Sequence, residues 1–182
     1  NDLSLRNHSA AAAFVERDYP QSIAIARETR AMYPDMIYGL EWFFHGHYQL
    51  GQFEQALESV RQARRLQDAP FWMALEACAL AKLGQKDAAV KILADLKAMS
   101  GVGRYVDPYP LAWVHLALGD RPAALTKLRE ACQMRSDMVV FPDLAGGLRT
   151  DPKLDELRDE PEFQELLKLA GLDVWPIPAW RP

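Results

Sequence analysis

The side chains that could do chemistry are few and poorly spaced for it. His45-Gly46-His47 has the look of a metal pair. Residues two apart on a helix face different ways, however, and helical metal ligands want a spacing of three or four. Cys78 and Cys132 fall in helix-like segments without a metal-ligand spacing, which makes two buried thiols the expectation rather than a disulfide or a metal site. Arg61, Arg64 and Arg65 share one helix face, which reads as a solvated surface and not a phosphate site. Glu156, Asp159, Glu160 and Glu162 are most simply charges that complement helix starts. Gly101-Val102-Gly103 is too short for a phosphate cradle and follows a helix, not a strand. No nucleophile–base pair or paired carboxylates stand out, so the expectation is a non-enzyme with no cofactor and no metal.

The elements that must position these residues announce themselves by repetition. Leu50-Gly51-Gln52-Phe53-Glu54-Gln55-Ala56-Leu57 returns as Leu83-Gly84 through Val90 and again as Leu118-Gly119 through Leu125, with a worn copy at Asp18-Tyr19-Pro20-Gln21-Ser22-Ile23. Gly51, Gly84 and Gly119 are separated by 33 and 35 residues. A unit of about 34 residues is the signature of a helix-turn-helix array. Glycine ends each first helix in the left-handed conformation. Five residues later a small residue, Ala56, Ala89, Ala124 or Ser22, lets two antiparallel helices approach closely. The spacing predicts helices over 5–16, 21–33, 37–50, 52–67, 71–83, 86–99, 107–118 and 121–134.

The bulk numbers are those of one soluble domain: 182 residues, 49% hydrophobic and 25% charged. A net charge of −4 provides no global attraction to nucleic acid or an anionic membrane. No apolar run is long enough to span a bilayer and no signal peptide is evident, so a cytoplasmic setting is expected. The abrupt start at Asn1 and the worn first copy make a piece of a longer protein the expectation.

The units resemble the tetratricopeptide repeat. Leu50-Gly51, Phe53, Ala56 and Ala63 carry the likeness, with Leu83-Gly84 and Ala89, Leu118-Gly119, Ala124 and Ala131, and the closing Pro34 and Pro70. Phe44 stands where that family prefers Gly or Ala, and Lys86 and Arg121 replace the aromatic after Gly. The resemblance covers roughly residues 3 to 136. It implies an all-α, right-handed solenoid of about four helix pairs over 1–136, followed by a capping segment at 137–172 and a Pro/Trp-rich extended tail at 173–182. Asp151-Pro152 and Glu160-Pro161 are good helix starts, predicting a short turn at 152–157 and a helix at 161–170. Leu157, Phe163, Leu166, Leu167 and Leu169 suit the task of covering the last repeat's apolar face. This ending is similar to that of the repeat regions of bacterial multidomain regulators, which implies a signalling context.

In that family the first helices line a concave groove. The resemblance therefore places Tyr38, Trp42, His45 and Tyr48, then Phe71, Leu75 and Cys78, then Tyr109 and Trp113 on its wall, with Asn7, Ala11 and Phe14 from the first unit. His47 and His115 share a register where the family usually has Tyr, which implies packing with one hydrogen bond. Capture of a terminal carboxylate needs Lys, Arg and Asn at the wall, and only Lys82 and Asn7 qualify. An apolar or Pro-containing peptide suits the aromatic wall better. Equally open is that the chain's own helix or tail fills it, or that the rings are inter-helix core. The tail, with Trp175, Pro176, Pro178 and Trp180, is extended by its prolines and too apolar to leave in water. The function expected is a protein or peptide interaction module, with no nucleic acid and no membrane. The alternatives are a homodimer formed through the tail and a sensor holding a small apolar ligand around Trp42, His45 and Trp113.

Overall fold

A computed structural model describes residues 2–140 and 147–173. The described chain is all-helical, without strands. Its helices are α1 (Asp2–Val15), α2 (Tyr19–Met32), α3 (Tyr38–Gln49), α4 (Phe53–Leu66), α5 (Pro70–Lys82), α6 (Lys86–Gly101), α7 (Pro108–Leu118) and α8 (Arg121–Gln133). There follow the single turns α9 (Asp137–Val140) and α10 (Gly147–Thr150), a 3₁₀ turn over Pro152–Leu157, and α11 (Pro161–Leu169). Each odd helix from α1 to α7 packs on the even helix after it, so consecutive helices form pairs.

Local chemistry sets the boundaries. Gly51, Gly84 and Gly119 take φ of 72°, 79° and 86° where α3, α5 and α7 end. The worn first copy has Arg17 at the equivalent place, with φ 68°. A non-glycine residue there is strained, and its guanidinium is used in compensation: Nη1 donates to the Thr150 and Val15 carbonyls, and Nη2 to Asp155. Asp18, Asp107 and Asp120 each accept a backbone N–H at the start of α2, α7 and α8.

The small residues of the repeat are fully buried, as close helix contact requires: Ser22, Ala56, Ala89 and Ala124 each show no exposed surface. Gly46 makes a similar approach outside the repeated motif. A Cβ on it would lie 2.5 Å from Ile23 Cγ1 on α2. This close contact, rather than a small residue at Phe44, brings α3 against α2.

The stacking is not uniform. α2 lies broadly on α3 and α4 on α5, but α6 barely meets α7, which packs on α5 instead. Accordingly α4 buries five of its 14 residues, whereas α6 buries only Ala89 and Leu96 of 16. At the chain's end α11 packs on α8. Leu157, Phe163, Leu166 and Leu167 are buried, while Leu169 faces solvent. The residues 174–182, and with them Trp175, Pro176, Pro178 and Trp180, lie outside the described residues.

Candidate functional site

Side chains from α1, α3, α5 and α7 converge on one aromatic cluster. Phe14 of α1, Trp42 and His45 of α3, and Trp113 of α7 stand with ring centroids 5.4–5.8 Å apart. Tyr109 meets Trp113 edge-on at 5.4 Å. Leu75 and Cys78 of α5 are buried in the same core. Trp42 Nε1 donates to Asn7 Oδ1 at 2.7 Å. The helical spacing 42/45 and 109/113 places each pair on one face, which is why α3 and α7 present them together.

A segment of the chain itself occupies this wall. Asp151, fully buried, accepts from Trp113 Nε1 at 2.7 Å and from the Tyr109 hydroxyl at 3.3 Å through the same oxygen. Its other oxygen accepts from the Lys153 ammonium and the Lys153 backbone N–H, both at 3.0 Å. The Lys153 nitrogen sits 4.2 Å from the Trp113 ring centroid and 4.9 Å from that of Phe14. A desolvated ammonium over two rings is held by their quadrupoles as well as by its carboxylate. Pro152 fixes the turn that brings acid and amine to the wall together. Arg158 locks the turn from behind, donating to the carbonyls of Arg149 and Asp151 at 2.6 and 2.9 Å and to Asp155 at 2.6 Å.

Beside this seat lies an acid–base pair, with the His45 side chain fully buried and that of Glu41 13% exposed. Glu41 Oε1 is 3.8 Å from His45 Nε2, beyond hydrogen-bond range, and among the described residues neither nitrogen of the His45 ring has a hydrogen-bond partner. Burial pushes the Glu41 carboxyl up to about 7, with the Lys153 charge opposing. Burial, then the Lys153 charge, hold the His45 imidazole well below its ordinary value. The Lys153 ammonium is itself lowered by burial, against the pull of Asp151. The Cys78 thiol rises to about 12 and Cys132 to about 11 through burial, so neither provides a thiolate nucleophile near neutrality.

The remaining expected wall residues sit at the margin. Tyr48 is half-buried, stacked on Phe44 at 5.5 Å. With Gln49, Lys82 and Lys153 it lines a cavity of about 340 Å³. Phe71 is half-buried beside Trp72 at 4.9 Å. Tyr38 is exposed at the head of α3. The pair His45 and His47 serve separate neighbourhoods, since His47 Nδ1 lies 2.6 Å from Gln52 Oε1. Among the described residues no group of His, Cys, Asp and Glu is arranged to hold a metal. Arg61 and Arg64 pair with Glu76, Arg64 also with Asp68, and Arg65 with Glu58. No helix of the described residues is long and apolar enough to cross a membrane.

Three residues of the cluster escape a sequence reading: Glu41, Asp151 and Lys153. Asp151 is legible only as a helix start, and it does accept the Lys153 N–H in that role. The order Asp-Pro-Lys was the available signal, because an acid that caps a turn can also reach the side chain two residues on.

Set beside known proteins, the chain matches no family model, no curated protein and no solved structure.

Proposed function

We propose that this chain is a non-catalytic interaction module of tetratricopeptide-like helix pairs wound as a right-handed solenoid, serving as the sensory or scaffold part of a bacterial signalling regulator. Its aromatic concave wall recognises a Pro-containing polypeptide segment. What carries this reading is the seating of Asp151-Pro152-Lys153 on Trp113, Tyr109 and Phe14, with indole, phenol and ammonium all partnered. The wall thus has the two things a peptide site needs, ring faces for an apolar or cationic group and donors for a carboxylate. A partner's segment enters by exchange with the chain's own.

The test is a labelled peptide of the sequence Leu148 to Arg158, titrated against the full chain and against the double variant D151A/K153A. The parent, its wall occupied, is expected to bind weakly; the variant is expected to bind the peptide in place of its broken segment. A variant that keeps its helical circular dichroism and binds neither this peptide nor Pro-rich peptides would overturn the reading.

A further inference from the structure

A second concavity, of about 740 Å³, opens between α6, α7 and α8. It exists because of the irregular stacking. α3 and α5 each lie against the even helix before them, but α7 lies on α5 and leaves α6 without its neighbour. The link at 102–107 carries the chain across that gap. The floor and walls are apolar, with Leu93, Leu96, Val106 and Leu111 among them. Val90, Tyr105 and Met134, on the same lining, are 53%, 62% and 57% exposed. Large apolar side chains gathered on one open face mark an interaction surface.

The rim has a sign. Lys97, Arg104 and Lys127 line the cleft against a single acid, Glu130, which Lys127 already holds at 2.7 Å. Arg104 gives one N–H to the Asp68 carbonyl, an uncharged acceptor. His115, also on the lining, is held below its ordinary value chiefly by burial, against the pull of Asp120. The local balance is positive on a chain whose net charge is −4.

We infer that this cleft docks an amphipathic helix of a partner protein, apolar residues toward α6 and acidic residues toward Lys97 and Arg104. The gap is one that a helix fills at the two earlier steps, and an incoming helix restores the missing packing. Apolar anchors at i, i+4 and i+7 would meet Val90, Leu93 and Met134. The acidic flank supplies specificity and speeds encounter. This surface is separate from the aromatic wall, so it stands or falls independently of the wall's guest.

The experiment uses the full chain and two synthetic helices of about 16 residues, identical in their Leu stripe but flanked by Glu in one and Lys in the other. Binding is read by fluorescence anisotropy at low salt. The Glu helix is expected to bind at least about tenfold more tightly than the Lys helix. The exposed substitutions Val90→Asp and Met134→Glu should abolish binding of both, and K97E/R104E should reverse the preference. Circular dichroism confirms that each variant is folded. Equal binding of the two helices, no binding, or binding unchanged by V90D would overturn the inference. So would binding that appears only in a W175A/W180A chain, because the tail would then be the native occupant. A mass that doubles with concentration and is halved by V90D would also overturn it, in favour of a second copy of this chain.

Discussion

Two apolar regions of the described residues differ in one respect: the aromatic wall is closed and the cleft is open. The aromatic wall of α1, α3, α5 and α7 is closed by Asp151 and Lys153; the cleft of α6, α7 and α8 has no described segment in it. The difference lies in polar groups. The wall carries an indole N–H and a phenol that cannot be left buried without acceptors; Asp151 supplies the acceptor and Lys153 balances its charge. The cleft's polar atoms sit on its rim, in reach of water, and require nothing. At the wall the buried donors of Trp113 and Tyr109 are met by the chain itself, whereas the cleft, with its apolar floor and charged rim, has no described segment over it.

The comparison breaks first at Asp151. Asp151→Ala removes the acceptor for Trp113, Tyr109 and Lys153 and leaves a buried ammonium unpaired, for which the expected loss is about 3–5 kcal/mol in urea unfolding. A loss below about 1 kcal/mol, the range of exposed ion pairs, would mean the seat is not formed.

Glu41 sharpens it through pH. Its folded-state value of about 7 lies above the ordinary 4.5, so between these the folded protein holds a proton that the unfolded chain has released. Stability from this group is full below pH 4.5 and is lost as pH rises through about 7. His45 works in the opposite direction, because its folded value lies below 6.5 and stability is lost as pH falls beneath that. The two slopes have opposite signs, so below pH 6.5 the His45 slope works against that of Glu41. Glu41→Gln removes the first slope, and the variant should exceed the parent by roughly 3 kcal/mol near pH 8 while approaching it near pH 4. Its own stability should then fall on acidification alone. Parallel stability–pH curves for the two proteins would show that Glu41 is not held in the dry interior.

Gly46→Ala forces a methyl into the α2–α3 contact, against Ile23, and should lower stability by about 1–3 kcal/mol. The same change at Gly84, whose added Cβ would meet nothing, strains the backbone only through its φ of 79°. The smallest effect belongs to the cleft. V90D and M134E touch exposed positions and should shift stability by no more than about 0.5 kcal/mol, unlike any change at the wall. A larger loss would mean that the cleft is closed in solution.

Helix positions were legible because they rest on local chemistry. Glycine after Leu50, Leu83 and Leu118, the buried Ala five residues on, and proline in the first turn all act within a few residues of themselves. Trp42, His45, Tyr109 and Trp113 were legible as a group through their register on first helices, and their rings do meet. Their guest was not, because the pairing of Asp151 with Trp113 spans 38 residues and no periodicity links them. The Lys153 side chain reads as a surface cation until the fold places two rings around it. The cleft was hidden for a related reason: α6 repeats the sequence pattern of its neighbours, and only the displacement of α7 onto α5 leaves it uncovered.

The most direct test of the two-concavity account is an amine-labelling time course on the native chain, read residue by residue by mass spectrometry. Lys97 on the open rim should react as a surface lysine, while Lys153, 3% exposed at its side chain, should stay unmodified until Asp151 is replaced by Ala. Lys153 reacting as fast as Lys97 in the parent chain would contradict the account, because the aromatic wall would then be standing open.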